Sequence, residues 1–586
     1  LYRGEYTLKE SKIKVEKSKD NYNIVKVNIR EKCIYIGSKY NMKNEINGFL
    51  EQVQENKQII IFGFATGEHI RALREKFLNI EIRVFEPNEE IKNYAVNLEW
   101  VENDKNLWII HCDKDEIDSD LSFINEFNAE NIQMLIFSNY NKLYDKELLN
   151  LAESIKAKVY DCIIERNTKF KFSETWFTTA INNISYMAES AIIDEYEDAY
   201  KGKPAIIVSA GPSLDKNIDL LNGIEDEFLI ITGGRPLKGL IEKKINPGLL
   251  VALDPQDVNY RLVEGAIEKT NIPLLFFDST NEKIVENHNG CKIFSFSSEE
   301  MYSFLDKEPK VLSTYGSVAH SMVSVAILLG CNPIIFIGQD FAYTNDSAHS
   351  EYLDTKHNSW KFNQVKSNTD FFVESVGGGK VRTSIILDLY RRGMEKIIQE
   401  HPDVKFINAT EGGARMNGTE EMTFCDAIKK YKGFTIEHLK SKSVDSRVSI
   451  KIANKVHEMY EDLENIRKET KKAIAYTQEL ERNFNLNKMN NVCKLLKKLD
   501  DIDQYIKEKI NSFLIIQSLL YPIIYKILTN RNIENKLEKN QKIKNIIDQN
   551  TELYNAINEV IERTLKDFDK VDKKLNTNRE SEKNVR

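Results

Sequence analysis

Apolar residues follow two different rhythms along the chain. Over the first 430 or so positions they come as short uninterrupted runs. Ile59-Ile60-Ile61-Phe62 is followed by the turn Gly63-Phe64-Ala65-Thr66-Gly67 and a helical pattern from Glu68. Further runs lie at 82–85, 108–110 and 134–137, and then at 205–209, 228–232, 249–253, 274–277, 293–296, 334–337 and 405–408. Runs apolar at every position predict strands covered on both faces, and helical stretches between them predict parallel βαβ winding. After about 435 the rhythm changes. Ile452, Val456, Met459, Leu463, Ile466, Thr470, Ala473, Thr477, Leu480 and Phe484 recur by fours and threes, one seam of a helix. Seams beginning at Val492 and at Ile543 predict two more helices. The predicted class is α/β with three parts: an N-terminal α/β domain (1–170), a central Rossmann-like domain (171–434) and a C-terminal helical bundle (435–586). The polar tail after Lys574 is expected to be disordered.

Composition narrows the function. The 586 residues carry 82 Lys+Arg against 90 Asp+Glu, a net charge of -8, which argues against a dedicated nucleic-acid binder. Seven scattered cysteines without a CxxC suit reduced thiols rather than disulfides or a zinc site. The most apolar stretch, 513–528, is broken by Gln517, Ser518, Pro522 and Lys526, so it reads as a buried helical segment and not a membrane span. Its residues Phe513, Leu514, Leu519, Leu520 and Tyr521 are candidates for a docking patch. Charges interrupt every early apolar run, so no secretory signal is read and a cytoplasmic location is expected.

Candidate chemistry gathers at the ends of the central strands, where open α/β sheets bind ligands. The run 205–208 leads into Ser209-Ala210-Gly211-Pro212-Ser213, a tight turn before a helix start whose amides suit a phosphate. The next run ends in Gly233-Gly234-Arg235, with a fixed cationic fork. Asp254-Pro255-Gln256-Asp257 ends a third run, and Gly338-Gln339-Asp340-Phe341-Ala342-Tyr343 ends another. Thr314-Tyr315-Gly316-Ser317 opens an apolar helix carrying His320, which reads as a packed core histidine. Together these ends describe a pocket. Asp254, Asp257 and Asp340 could hold a metal ion or act as hydrogen-bond partners. Gly377-Gly378-Gly379 reads as the turn of a hairpin whose Lys380 and Arg382 could reach an anionic ligand, and 408–415 ends a strand at the same edge. In the N-terminal part, Gly63, Gly67 and the acid Glu86 pose a rival idea, a class I methyltransferase site for S-adenosylmethionine, but the middle glycine of that pattern is missing and a non-catalytic α/β domain is the commoner reading.

The Gly-Pro-Ser-Leu turn, Thr-Gly-Gly-Arg, the Asp-Pro strand end, Tyr-Gly-Ser and Gly-Gln-Asp-Phe-Ala-Tyr, in this order, resemble the motility accessory factor (Maf) proteins. These are bacterial flagellin O-glycosyltransferases that transfer nonulosonic acids. The central part is also similar to bacterial sialyltransferases that use CMP-sialic acid. The resemblance implies a CMP-activated sugar as donor, flagellin Ser/Thr as acceptor, and no obligatory cofactor or metal. It implies that Ser209, Gly211, Pro212, Ser213, Gly234, Arg235, Asp254, Gln256, Thr314, Tyr315, Gly316, Ser317, Gln339 and Tyr343 bind the donor. Asp340 and His349 are the expected catalytic residues. The sialyltransferase base is a histidine after the aspartate strand, and here both His349 and His357 lie in that stretch. Two alternatives stand beside this reading: a pterin diphosphokinase using ATP and Mg²⁺, whose archaeal examples the central domain also resembles, and a non-enzymatic flagellin-binding protein.

Overall fold

The structure is a computed structural model, and it describes residues 13–29, 32–54, 57–297, 310, 312–353, 370–442, 446–511, 519–522, 525–526 and 539–585. The chain forms two compact units, Leu1–Lys171 with Pro522–Lys542, and Phe172–Tyr521 with Ile543–Arg586.

The first unit opens with a three-stranded antiparallel sheet of β1 (Lys14–Lys17), β2 (Asn23–Ile29) and β3 (Lys32–Ile36). A four-stranded parallel sheet follows, made of β4 (Gln58–Phe62), β5 (Ile82–Glu86), β6 (Leu107–His111) and β7 (Ile132–Ile136) in the order β6-β5-β4-β7. The predicted runs are its strands.

The second unit is built on a nine-stranded sheet. Its strands are β8 (Ala191–Ile192), β9 (Ala205–Val208), β10 (Leu229–Thr232), β11 (Leu249–Ala252), β12 (Leu274–Phe277), β13 (Lys292–Ser295), β14 (Ile334–Ile337), β17 (Phe406–Asn408) and β18 (Glu420–Glu421). They run in the order β18-β17-β14-β9-β10-β11-β12-β13-β8, and every pairing is parallel. The hairpin of β15 (Phe371–Glu374) and β16 (Lys380–Thr383) stands apart from it, turning through Gly377, Gly378 and Gly379, all at positive φ. Alternate residues of the central strands enter opposite cores. Ile207, Ile231, Ile334 and Phe336 pack on one face, while Ile206, Ile230, Ile335 and Ile337 pack on the other. The unbroken apolar runs therefore follow from a sheet with no wet face.

Helices Ser446–Asn485, Met489–Asn511 and Lys539–Val585 make the C-terminal region. The predicted seams are their buried stripes: Val456, Leu463, Ile466, Val492, Leu499, Tyr554 and Phe568 are all at most 1% exposed. Tyr554 adds a 2.7 Å hydrogen bond to Asp503 Oδ1 across the bundle. The last helix continues to Val585, so the polar tail is helical where disorder was expected. Leu519, Leu520 and Tyr521 are buried and form no exposed docking patch; Phe513 and Leu514 lie outside the described residues. Among the described residues no helix is long and apolar enough to cross a membrane.

In the first unit, β5 and β7 flank β4 and the strand order reverses there, which is where an open sheet would hold a nucleotide. The protein fills that place itself. A Cβ on Gly63 would lie 2.3 Å from the Tyr140 ring, and one on Gly67 2.7 Å from both Phe64 and Trp100. Tyr140 Oη donates to Glu86 Oε2 at 2.6 Å, the Phe64 amide donates to the same oxygen at 2.8 Å, and the Asn88 amide donates to Oε1 at 2.9 Å. Glu86 has zero exposure, so it is not available to ribose hydroxyls, and the geometry speaks against the rival S-adenosylmethionine reading.

Burial pushes the Glu86 carboxyl up to about 7 despite these donors. A carboxyl that holds its proton more tightly folded than unfolded contributes stability below the ordinary value near 4.5, and that contribution is lost as pH rises to about 7. We expect the protection of β4 and β5 amides in hydrogen exchange to fall between pH 4.5 and 7, with an amplitude on the order of 3 kcal/mol. Glu86→Gln should flatten that slope; an unchanged slope in the variant would assign it to other groups.

Candidate functional site

In the second unit the chain leaves β9 toward β10 on one side and reaches β14 on the other, so the strand order reverses between β9 and β14. A cavity of about 290 Å³ opens at the carboxyl ends of these strands. Its wall is mostly apolar, from Val251, Leu262, Val263, Ile284, Met322 and Leu387, with a few polar groups set into it. That composition suits a small-molecule site. Of the residues singled out in the sequence, Ser209, Gly211, Gly234, Arg235, Asp254, Ser317, Gln339, Asp340 and His349 line it.

Asp340 joins the loops. Its carboxylate is 2% exposed and accepts from Ser213 Oγ at 2.6 Å, from Thr344 Oγ1 at 2.6 Å and from the Ser213 amide at 3.2 Å. Its main-chain oxygen accepts from the Ala414 amide at 2.7 Å. Burial raises its pKa, and the hydrogen bonds from Ser213 and Thr344 counter that rise. Both oxygens are therefore committed within the protein, and the Ser213 hydroxyl faces Asp340. Gly211 is required by the same junction: a Cβ there would lie 2.2 Å from Asp340 Oδ1 and 2.5 Å from the Gly338 carbonyl. Gly413, at φ +78°, is pressed as closely on the Asp340 backbone, with a Cβ distance of 2.3 Å to its oxygen. Beside this junction Ser209 Oγ donates to Gln339 Oε1 at 2.5 Å.

Arg235 sits in the first turn of the helix Gly234–Glu242, whose start follows β10. A guanidinium at a helix start favours an anion. His349 reaches the cavity from the loop after β14, and that loop is fastened by the Ser350 amide on Ala210 O at 3.0 Å and by Asp215, which accepts from Ser350 Oγ and the Glu351 amide. Burial, reinforced by the Arg235 charge, pushes the His349 imidazole down to about 4, so it is neutral at neutral pH. His357 lies outside the described residues.

Other expected residues lie away from the lining. Pro212 and Ser213 continue the turn past Gly211, and exposed Gln256 precedes the helix Asp257–Val263. Thr314, Tyr315 and Gly316 form a turn closed by the Ser317 amide on Thr314 O at 2.8 Å, and only Ser317 of this group reaches the cavity. Tyr343 turns toward the hairpin, where the Arg382 guanidinium stacks 4.2 Å over its ring. Arg382 is engaged by Asp346 and Asp370, so it is not held in reserve for a ligand. Asp254, Asp257 and Asp340 do not converge: Asp257 pairs with Lys283 at 3.1 Å and Asp340 is enclosed by Ser213 and Thr344. Among the described residues no three His, Cys, Asp or Glu side chains are grouped as a metal ion would require.

The sequence reading missed Tyr390 and Leu387, which bring the helix Ile385–Glu400 to the wall. No motif marks them, because their place depends on His320. That buried imidazole is packed in the core as expected, and its nitrogens lie 3.0 Å from Thr314 O and 2.8 Å from Tyr390 O, tying the two helix segments together.

Residues 178–346 match the family described as 6-hydroxymethylpterin diphosphokinase MptE-like. Among solved structures the chain is similar to a MAf glycosyltransferase from Magnetospirillum magneticum AMB-1. The TM-score is 0.56 at 13% identity, covering 98% of this chain and 96% of that one. The resemblance to Maf proteins read from the sequence thus holds in the fold, including the α/β regions and the helical C-terminus. No curated protein matches.

The Asp340 junction makes a direct prediction. Gly211→Ala should destabilise the second unit by roughly 1–3 kcal/mol, because backbone and carboxylate must both move. Asp340→Asn should destabilise it by a similar amount, since an amide cannot accept from all three donors. Denaturant unfolding of the full chain measures both; variants as stable as wild type would show that the junction does not hold these loops.

Proposed function

We propose that the chain is a glycosyltransferase that moves a nonulosonic acid from a CMP-activated donor to Ser or Thr hydroxyls of flagellin. The observation that carries this reading is the placing of Arg235 and a neutral His349 on one cavity at the strand-order reversal. The likeness over nearly the whole chain to a protein named a glycosyltransferase supports it, as do the ordered motifs. The donor and the acceptor follow from the Maf resemblance.

In this reading Arg235 and the start of its helix balance the phosphate, and the apolar wall limits water around the reacting carbon. The acceptor oxygen attacks the anomeric carbon, the bond from that carbon to the phosphate oxygen breaks, and CMP leaves with the electron pair. The acceptor proton passes to the His349 imidazole, which is neutral at neutral pH. Asp340, with both oxygens engaged, is a positioning residue that keeps the Gly211 turn and the Thr344 loop together. In this reading the reaction is cytoplasmic.

A second reading is favoured by the family match of residues 178–346: a pterin diphosphokinase, for which ATP with Mg²⁺ and not CMP would occupy the site. Titration of the full chain with CMP, CTP and ATP separates the two, because a ligand bound by the folded state raises its stability.

With co-expressed flagellin and a CMP-sugar supply, wild-type protein should add the sugar mass to flagellin. His349→Gln should lower transfer about 10²- to 10⁴-fold while CMP affinity is retained. Since the free imidazole titrates near 4, kcat/KM should stay level from pH 8 to about 5 and fall below that. An acid limb centred at 6.5, or a His349→Gln variant that transfers at the wild-type rate, would remove His349 from the base role.

A further inference from the structure

The glycine-turned hairpin of β15 and β16 takes no part in the proposed reaction, yet it grips the loop that carries His349. Arg382 on β16 makes the grip. Its guanidinium stacks 4.2 Å over the Tyr343 ring, donates to Asp346 Oδ1 from Nε at 3.2 Å and from Nη2 at 3.1 Å, and pairs with Asp370. Its main-chain oxygen accepts from the Tyr343 amide at 2.8 Å. The gripped turn needs such support. Asn345 and Asp346 lie at φ +53° and +58°, and two successive left-handed residues other than glycine are costly unless their surroundings fix them. From there the chain reaches His349 in three residues, and Ser347 Oγ donates to His349 O at 2.9 Å.

A second grip lies immediately beyond the histidine. Asp215, in the short helix Leu214–Asn217 after the β9 turn, accepts from Ser350 Oγ and, at 2.9 Å, from the Glu351 amide. The Ser350 amide donates to Ala210 O at 3.0 Å, and Ser350 and Leu353 are fully buried. His349 is therefore suspended between a cation on one side and an anion on the other. Neither Asp215 nor Arg382 lines the cavity, so both act through the loop.

The state of the imidazole depends on this placement. Burial and the Arg235 charge press it toward the neutral form, and the Ala210 carbonyl opposes them. Among the described residues the other charged groups on the cavity are Asp254 and the enclosed Asp340. An imidazole released into water would return toward the ordinary value of 6.5.

We propose that Asp215 and Arg382 are positioning residues that clamp the chain on both sides of His349 and hold its imidazole inside the cavity. This rests on the reading of His349 as the proton acceptor and adds what keeps it in place.

The test follows the imidazole itself, by NMR of the full chain with carbon-13-labelled histidine rings, titrated from pH 8 to 5. His349→Gln assigns the signal. In wild type it should not move over this range, because its midpoint lies near 4. Asp215→Ala and Arg382→Gln should each raise the midpoint above about 5.5 and leave buried His320 unmoved. The two substitutions remove opposite charges. A purely electrostatic effect would raise the midpoint when the cation is lost and lower it when the anion is lost, whereas a lost grip raises it in both. Asp215→Asn and Arg382→Lys replace a variant that does not fold, under the same criterion. In the transfer assay the variants should lose about tenfold in kcat, with CMP affinity retained. A His349 midpoint unmoved in either variant, shifts of opposite sign, an equal shift at His320, or wild-type kcat beside a raised midpoint would overturn the proposal. Wild-type transfer by His349→Gln would instead overturn the base reading, and the titration would still decide the clamp.

Discussion

Three loops from three different strands meet at Asp340, two on its carboxylate and one on its main-chain oxygen, and the cavity is framed by that close approach. The side chain takes the hydroxyl and amide of Ser213 from the β9 turn and the hydroxyl of Thr344 from its own loop, while its backbone receives Ala414 from beyond β17. No side chain larger than hydrogen fits at Gly211 or Gly413 without displacing these contacts. A carboxylate buried to this degree would be strongly unfavourable alone, and three donors offset that penalty only in this geometry. These bonds fasten the mouth of the site to the sheet below it. Ser209 with Gln339, and the loop that carries His349, are set from the same junction.

Charge is then distributed along the cavity by backbone placement. Arg235 is delivered by a helix start after β10, Asp254 by the loop after β11, and His349 by the loop after β14. Because Arg235 helps to depress the His349 imidazole, an anion bound at Arg235 would weaken that effect and make His349 a stronger base. In the proposed reaction, donor binding and proton acceptance would be coupled through this one guanidinium.

The strands of both units were readable because burial on two faces leaves nothing polar inside them, and the helical seams were readable from their spacing. The pocket's location was readable as well, since Gly211, Arg235, Asp254, Asp340 and His349 each follow a run that became a strand or its loop. What was not readable was which atoms those residues face. Gly211 looks like a glycine that admits a ligand, but its open side is filled by Asp340, some 130 positions later in the chain. Ser213 and Tyr343 look like ligand contacts, yet Ser213 serves Asp340 and Tyr343 lies under Arg382. Glu86 has the position of a cofactor-binding acid, and only the fold shows Tyr140 and the Phe64 amide already occupying it. Tyr390 carries no motif and comes to the wall through a backbone contact with His320. Pairings set by tertiary approach leave no local pattern.

The claim on which the rest depends is that the cavity at the ends of β9, β10, β11 and β14 receives a cytidine nucleotide. A crystal structure of the full chain grown with CMP tests it most directly. The account predicts the phosphate at Arg235 and the start of its helix, the nucleoside within the same cavity, and the Asp340 junction unchanged. Nucleotide bound elsewhere in the protein, or a cavity left without nucleotide at saturating CMP, would contradict it.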